Sequence, residues 1–237
     1  MEKLNCRIIN VNPETPQEFI NFGHSVDENG NKIRYSLRRE RINRFLEKDI
    51  NLYDISIFDA VTPHDFDVQG NNVIIGEKSF ITGTDSLFYV ANALSHASIW
   101  SLDEDTLVLE DDVIFDESKF EILRNILIEF KSLAGKNEIL YLQMSIPYCE
   151  GAPDKTICYV QPISDNIYLG DMDVSGTAAY FITKETKKTV MDLINSGFPL
   201  LPCDQMFDTM RKQGFIRYLV PLNKESMFKL DTETYWN

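Results

Sequence analysis

Three consecutive carboxylates at the end of an apolar run are the residues of this sequence best suited to chemistry. Leu107-Val108-Leu109 is followed by Glu110-Asp111-Asp112, and the chain turns apolar again at Val113-Ile114-Phe115. Three like charges beside a core cost free energy unless a cation compensates them. Mg²⁺ and Mn²⁺ accept carboxylate oxygens as ligands and fill their other positions with water and a diphosphate. The pattern therefore predicts a divalent-metal site for a phosphorylated ligand.

The expected strand geometry distinguishes between the three carboxylates. On an extended backbone Glu110 and Asp112 point to one side and Asp111 to the other, so Glu110 and Asp112 are the predicted metal ligands. The alternative is a solvated acidic turn that starts the next helix, where Asp116 or Ser118 would be the cap. The apolar residues after the trio favour the metal site, because a surface turn has little reason to be followed by such a run.

His96 and Asp204 are weaker candidates for a site. His96 lies just off the apolar stripe of a predicted helix, and a packed core histidine explains that position equally well. Asp204 follows Pro202 at a helix start, where an acidic residue ordinarily favours the positive end of the helix. The sequence has no pair of histidines at zinc-ligand spacing and no GxSxG, P-loop or GxGxxG motif.

Alternating strand and helix patterns surround the trio and predict the layers that position it. In open α/β sheets, ligands bind just outside the carboxyl ends of the strands, which is where the trio falls. The expected fold is α/β, with a mostly parallel central sheet flanked by helices, in a single domain over residues 1–237. Strands are predicted at 7–11, 55–61, 106–109, 139–142 and 178–182, and helices at 39–48, 85–100, 118–134, after Thr183 and after Pro202.

Composition indicates which class of partner and which cellular compartment to expect. The formal net charge of −14 would repel a polyanion, so we expect no nucleic-acid partner. The four cysteines are scattered and form no CxxC pair, as is typical of reduced thiols. The sequence has neither a charged-then-apolar leader nor an apolar run of about 18 residues. We therefore expect a cytoplasmic protein without a transmembrane segment, which leaves peripheral contact with a membrane open.

Taken in order, several segments resemble glycosyltransferase family 25, which contains lipooligosaccharide and collagen galactosyltransferases. The resemblance covers about residues 6 to 226, and the joint spacing of the Leu-Ser-His and Glu-Asp-Asp-Val pieces is its most specific part. The matching pieces are Ile8 to Asn12, Arg38-Arg39-Glu40-Arg41, Phe58-Asp59-Ala60-Val61, Leu94-Ser95-His96 with Trp100, Leu107 to Val113, Gly176 to Lys184, and Pro202-Cys203-Asp204.

The sequence departs from the family pattern at three places. About twenty residues (13–34) are inserted before the arginines. Residues 88–92 replace a glycine-containing turn before Leu-Ser-His, and Tyr141-Leu142-Gln143 stands where Tyr-Leu-Gly is common. Glycine allows close approach of the backbone, so these changes concern the donor sugar and the acceptor pocket and leave the trio untouched.

The resemblance implies a GT-A fold and a metal-dependent, inverting transfer of a galactose-like hexose from a UDP-sugar to a glycan or glycoprotein hydroxyl. Glu110 and Asp112 would bind Mn²⁺ or Mg²⁺, and Asp204 would be the catalytic base, with His96 as the second candidate. Arg38 and Arg41 could pair with phosphate, although a solvated helix face also explains them. Donor contacts would come from Asp59 (the candidate for the nucleoside), Ala60, Ser95, Glu110, Asp111 and Arg38.

Two other classes of function are also compatible with the sequence. A metal-dependent nucleotidyltransferase or phosphohydrolase would keep the metal, but the glycine-rich phosphate loop or two-metal cluster usual in those enzymes is not found. A catalytically inactive sugar- or nucleotide-binding module would keep the fold, and the altered glycine positions are its only support. Retention of all three acidic residues argues against an inactive site.

Overall fold

The fold is seen in a computed structural model, which describes residues 3–12, 14–16, 33–47, 52–115, 117–142, 159–170, 176–221 and 228–230. The helices are α1 (Ile33–Leu46), α2 (Leu87–Trp100), α3 (Phe120–Leu133), α4 (Lys184–Asn195) and α5 (Cys203–Lys212), and a 3-10 turn at Glu117–Lys119 precedes α3. The strands are β1 (Leu4–Asn10), β2 (Tyr53–Asp59), β3 (Asp67–Gln69), β4 (Asn72–Ile75), β5 (Lys78–Ile81), β6 (Thr106–Glu110), β7 (Val113–Phe115), β8 (Glu138–Tyr141), β9 (Tyr159–Pro162), β10 (Ile167–Gly170), β11 (Ala179–Ile182), β12 (Arg217–Pro221) and β13 (Phe228–Leu230).

An eight-stranded mixed sheet forms the centre, in the order β2-β1-β6-β11-β8-β12-β10-β9. The pairs β2–β1, β1–β6 and β8–β12 are parallel, while β11 runs antiparallel to both β6 and β8. Strand β10 is antiparallel to β12 and β9, so six of the eight strands share one direction. The predicted α/β fold, with a mostly parallel sheet flanked by helices, is confirmed.

Apolar cores lie on both faces of the sheet, and the side-chain alternation of β11 joins them. Tyr180 points into the core formed with α2, α4 and α5, and Phe181 points into the core formed with α1 and α3. The helices pack through stripes at helical spacing, such as Leu123, Leu127 and Phe130 of α3. The predicted cap of α4 is confirmed, because the side chain of Thr183 accepts a hydrogen bond from the Thr186 amide.

The acidic trio does not continue a strand, which is a difference from the sequence prediction. Strand β6 ends at Glu110, and Asp111 and Asp112 form a turn before β7. The apolar run Val113–Phe115 is explained by pairing, since β7 pairs with β13 in a separate two-stranded sheet. The assumption that Glu110 and Asp112 share one side of an extended strand was therefore wrong.

Other differences concern element bounds and short strands. Helix α1 begins at Ile33, six residues before the predicted start, and β10, β12 and β13 were not predicted. Strands β3, β4 and β5 form a small antiparallel sheet of their own. Most of the 13–34 insertion and Gln143 lie outside the described residues. No helix in the described ranges has the length and apolar character needed to cross a bilayer.

Candidate functional site

The candidate site lies at the edge of the sheet where β1, β2 and β6 end. These strands are parallel, and their register pairs Asn10 with Asp59 and Ile9 with Glu110. Strand β11 runs in the opposite direction, so its beginning, preceded by Gly176 and Thr177, lies at the same edge. The predicted site residues on β2 and β6 are therefore brought together by neighbouring strand ends.

Glu110 is held through only one of its two carboxylate oxygens. Its Oε1 accepts a hydrogen bond from Thr177 Oγ1 at 3.0 Å, is 3.1 Å from His96 Nε2 and is 3.5 Å from Asn92 Nδ2. Within the described part of the chain, Oε2 accepts no hydrogen bond, and the side chain is 24% exposed. Burial alone would raise the pKa of Glu110, but His96, Thr177 and Asn92 together lower it, so Glu110 is held as a carboxylate.

Asp112 has a buried oxygen without a partner. The residue is only 6% exposed, and its Oδ1 makes no hydrogen bond with any residue that the structure describes. Burial raises the pKa of Asp112 to about 7, and the charges of Glu110 and Asp111 contribute to the increase. An unpaired buried carboxylate is costly, so this oxygen is well suited to bind a cation.

Asp111, in contrast, is fully engaged with the protein. Its Oδ1 accepts a hydrogen bond from Arg38 at 2.6 Å, and its Oδ2 accepts one from Asn10 Nδ2 at 2.7 Å. Its backbone carbonyl accepts a third, from Arg41 at 2.8 Å. Through these contacts, Arg38 and Arg41 hold Asp111 and thereby fix the turn. The direct roles of Asp111 and Arg38 in donor binding remain predictions.

A cleft of about 460 Å³ opens beside the end of β2, and Asp59 and Ala60 line it. Asp59 is 57% exposed, and its Oδ1 accepts a hydrogen bond from Arg39 at 3.1 Å. Ser95 is buried and holds the wall of the cleft, because its Oγ accepts from the Val61 amide at 2.9 Å and donates to the Ala91 carbonyl at 2.8 Å. The structure thus places Asp59 and Ala60 at the cleft, while Ser95 supports the cleft wall from behind.

Asp204 lies in the first turn of α5 and joins this helix to the loop before β11. Its Oδ2 accepts a hydrogen bond from the Gly176 amide at 2.9 Å, and its Oδ1 accepts one from the Gln205 amide at 2.8 Å. The neighbouring Cys203 amide donates to Asn92 Oδ1 at 3.2 Å. Asn92 also contacts Glu110, so the start of α5, where Asp204 lies, is connected to Glu110 through Asn92.

His96 is fully buried, and both of its ring nitrogens have partners. Nε2 is 3.1 Å from Glu110 Oε1, and Nδ1 is 2.8 Å from the Tyr180 hydroxyl. The interpretation of His96 as a core histidine agrees with its zero exposure. Its contact with Glu110, however, ties it to the site from inside the protein, and its direct role in catalysis remains a prediction.

Two carboxylate oxygens of the site are available to a divalent ion. The uncommitted oxygens are Oε2 of Glu110 and Oδ1 of Asp112, which are the residues predicted as metal ligands. No group of three or more His, Cys, Asp or Glu side chains suited to a metal occurs among the described residues. Two carboxylates would leave positions for water and phosphate oxygens, which is how Mg²⁺ is usually bound.

Several polar residues of the site were missed by the sequence analysis. Asn10 and Asn92 connect strand and helix ends to the trio, and Thr177 donates directly to Glu110. Thr177 lies within the Gly176 to Lys184 piece, and Asn92 within the replaced turn, but neither position suggested a contact with Glu110. Asn10, as the polar last residue of an apolar strand, carried a signal that could have found it.

Comparisons with known proteins support one family. The chain is similar to a solved structure of a putative glucose-1-phosphate thymidylyltransferase from Bacillus anthracis in complex with a sucrose, at 12% identity and a TM-score of 0.37, over 92% of this chain and 86% of that chain. It is also similar to a mannose-1-phosphate geranyltransferase from Thermus thermophilus, at 11% identity and a TM-score of 0.36, over 99% of this chain and 77% of that chain. Both likenesses are too weak to carry an argument. No curated protein matches the chain.

The family model gives a stronger result. A model of glycosyltransferase family 25, described as an LPS biosynthesis protein, matches residues 33–207, which is more than half of the chain. The matched range contains the trio, Asp59, His96 and Asp204, while part of the cleft lining (Asn12, Glu14, Thr15 and Pro16) precedes it. The protein therefore belongs to glycosyltransferase family 25.

Proposed function

We propose that the protein is a metal-dependent glycosyltransferase that transfers a hexose from a nucleotide-sugar to a hydroxyl of a glycan or glycoprotein acceptor. The observation that carries the proposal is the pair of uncommitted carboxylate oxygens, Glu110 Oε2 and Asp112 Oδ1, at the carboxyl edge of the sheet. A divalent cation there would relieve the cost of the buried Asp112 charge and would give the diphosphate of a donor a place to bind. A GT-A fold and a galactose-like hexose come with the family resemblance.

The cleft beside Asp59 suits the nucleoside part of the donor. Its lining includes the carboxylates of Glu14, Asp59 and Asp65, an arrangement that disfavours phosphate groups. Hydroxyl groups, in contrast, can donate hydrogen bonds to carboxylates. We therefore assign the ribose and base to the cleft and the diphosphate to the trio, with a uridine nucleotide as the first candidate.

When bound by Glu110 and Asp112, a Mn²⁺ or Mg²⁺ ion would neutralise the negative charge that develops on the leaving diphosphate. The chain's own contribution is to hold these carboxylates in place. Thr177, Asn92 and His96 fix Glu110, while Arg38 and Asn10 fix the turn through Asp111.

Asp204 is our candidate for the catalytic base. It would accept the proton of the acceptor hydroxyl as that oxygen attacks the anomeric carbon and the bond to the diphosphate oxygen breaks. Each carboxylate oxygen of Asp204 accepts one backbone hydrogen bond and retains capacity for another. This single displacement would invert the anomeric configuration.

A donor screen tests the proposed function. Purified protein is incubated with Mn²⁺ and a panel of UDP-, GDP- and CMP-sugars, and release of the nucleotide is measured with and without simple sugar acceptors. We expect release from a UDP-hexose, dependent on the metal and increased by an acceptor. Glu110→Gln should abolish it, whereas Glu121→Gln, a change of the same kind at an exposed position on α3, should not. Release that continues in excess EDTA, or in Glu110→Gln, would contradict the proposal.

A further inference from the structure

We propose that Trp100 and Tyr180 are positioning residues that orient His96 and, through it, hold Glu110 with a single oxygen, Oε2, available to the ligand. This inference rests on the proposed function for the identity of the ligand. The arrangement itself is a hydrogen-bonded chain from the core to the site. It runs from Trp100 Nε1 to the Tyr180 hydroxyl at 2.9 Å, from there to His96 Nδ1 at 2.8 Å, and from His96 Nε2 to Glu110 Oε1 at 3.1 Å.

The direction of each hydrogen bond in this chain follows from donor chemistry. The indole nitrogen of Trp100 can only donate, so the Tyr180 oxygen accepts from it. The proton of the Tyr180 hydroxyl then has His96 Nδ1 as its acceptor. His96 therefore carries its own proton on Nε2 and donates it to Glu110 Oε1, and the carboxylate can only accept.

Burial excludes solvent water as an alternative partner for Trp100, Tyr180 and His96 in this hydrogen-bonded chain. Tyr180 and His96 are 0% exposed and Trp100 is 2% exposed, and in the described residues the Tyr180 hydroxyl has only these two partners. A buried polar group without a partner is costly, so each member of the chain fixes the orientation of the next.

The result at Glu110 is an asymmetric carboxylate. Oε1 has three donors around it, from His96, Thr177 and Asn92, and its lone pairs are thereby used. Oε2 is left as the oxygen that can reach a ligand. The spacing of His96 and Trp100, one helical turn apart on α2, places both side chains beside Tyr180 on β11.

If Tyr180 served only in packing, removal of its hydroxyl group would have a different effect. The rings of His96 and Tyr180 lie 5.7 Å apart, and that of Trp100 lies 5.2 Å from the ring of Phe207. Tyr180→Phe keeps these ring contacts and removes only the hydroxyl. Tyr218→Phe is a matched control, because Tyr218 is also fully buried and its hydroxyl has no hydrogen-bond partner in the described structure.

Two measurements test the inference. The first is long-range ¹H–¹⁵N NMR of the histidine rings in metal-free protein, where the sequence contains only His24, His64 and His96. Substitution of His24 and His64 by Gln leaves the signals of His96. We expect the Nε2–H tautomer in wild type and in Tyr218→Phe, and altered ring signals in Tyr180→Phe.

The second measurement is Mn²⁺ affinity, followed by the EPR signal of the free ion. Loss of outer-shell partners of a metal ligand typically weakens affinity by about 10- to 100-fold, and we expect a loss on the order of 10-fold for Tyr180→Phe and none for Tyr218→Phe. An Nδ1–H tautomer or an imidazolium in wild type, or equal Mn²⁺ affinities for Tyr180→Phe and wild type, would overturn the inference. Failure of wild type to bind Mn²⁺ contradicts the proposed function instead, and the NMR result then decides on the hydrogen-bonded chain alone.

Discussion

At the scale of single residues, three adjacent carboxylates have three different environments. Glu110 is held by Thr177, Asn92 and His96, which keep one oxygen engaged and leave the other open. Asp111 is paired with Arg38, and Asp112 is buried with an oxygen that lacks a partner. Residue type alone does not distinguish the roles of the three carboxylates. The hydrogen bonds donated by Asn10, Arg38 and Thr177 distinguish them.

Asp112 should destabilise the metal-free protein above neutral pH. Burial raises its pKa from 3.8 to about 7, so the folded state binds this proton more tightly than the unfolded state does. The stability associated with Asp112 is therefore lost as pH rises from about 4 to 7. In EDTA, Asp112→Asn should be more stable than wild type at pH 8, by up to about 4 kcal/mol, and equal to it near pH 3.5.

Urea unfolding at both pH values measures this difference. Asp103→Asn, at an exposed aspartate, is the control and should show little change at either pH. A gain for Asp112→Asn that is the same at pH 3.5 and pH 8 would contradict the role given to the buried charge.

Asp204→Asn should separate turnover from donor binding. Loss of a general base typically reduces the rate by about 10²- to 10⁴-fold, and we expect this fall in kcat with the affinity for UDP and Mn²⁺ within about threefold of wild type. Steady-state kinetics and calorimetry give the two values. Asp208→Asn, on the same helix, should keep its activity. A kcat for Asp204→Asn within about tenfold of wild type would remove Asp204 from the base role.

The choice of Glu110 and Asp112 as metal ligands stays a prediction, but the strand geometry on which it was based was wrong. Glu110 and Asp112 were selected on the geometry of an extended strand, whereas β6 ends at Glu110 and a turn follows. The same two residues nevertheless carry the uncommitted oxygens. The partners of Asp111 could not be predicted, because Asn10 and Arg38 are 101 and 73 residues away along the chain.

At the scale of elements, α4 carries a buried lysine at the opposite end of β6 from the site. Lys187 is 1% exposed, and its Nζ donates to Thr106 Oγ1, at the first residue of β6, at 2.6 Å. Burial lowers the pKa of Lys187 to about 8, although Glu104 and Asp105 oppose the change. Those acids have other partners, since Glu104 pairs with Arg7 and Asp105 with Lys131.

Lys187→Met should therefore stabilise the protein at neutral pH. Folding costs free energy while Lys187 is charged, and wild type regains that stability as pH rises from about 8 to 10.5. We expect Lys187→Met to be more stable by about 1–3 kcal/mol at pH 7 and not at pH 10.5, as measured by thermal unfolding. Lys188→Met changes the exposed neighbour and should show no such pH dependence. A Lys187→Met protein that is less stable at pH 7 would contradict this account.

Long periodic helices were predicted well, whereas several short strands were missed. Helices α2 and α3 lie within two residues of their predicted bounds, because their apolar stripes repeat over several turns. Strands β10 and β13 have four and three residues, too few for a period-2 pattern to be recognised. Their pairing depends on partners distant in sequence, such as β12 for β10 and β7 for β13.

At the scale of the whole molecule, the sheet couples the two cores. Adjacent residues of β11 serve opposite faces, so neither core can open without disturbing the strand they share. We therefore expect one cooperative unfolding transition and a single domain. In a Trp236→Phe background, where Trp100 is the only tryptophan, urea transitions followed by fluorescence and by far-UV circular dichroism should coincide. Separate midpoints would indicate two folding units.

In the proposed function, Glu110 and Asp112 hold a metal that binds the donor diphosphate. Calorimetric titration of UDP into wild type and Asp112→Ala, with and without Mn²⁺, tests it most directly. We predict UDP binding to wild type that requires Mn²⁺ and is lost in Asp112→Ala, because Asp112 supplies the buried oxygen that lacks a partner. UDP binding that is equally tight without the metal or in Asp112→Ala, or no binding of any nucleoside diphosphate to folded wild type, would contradict the claim.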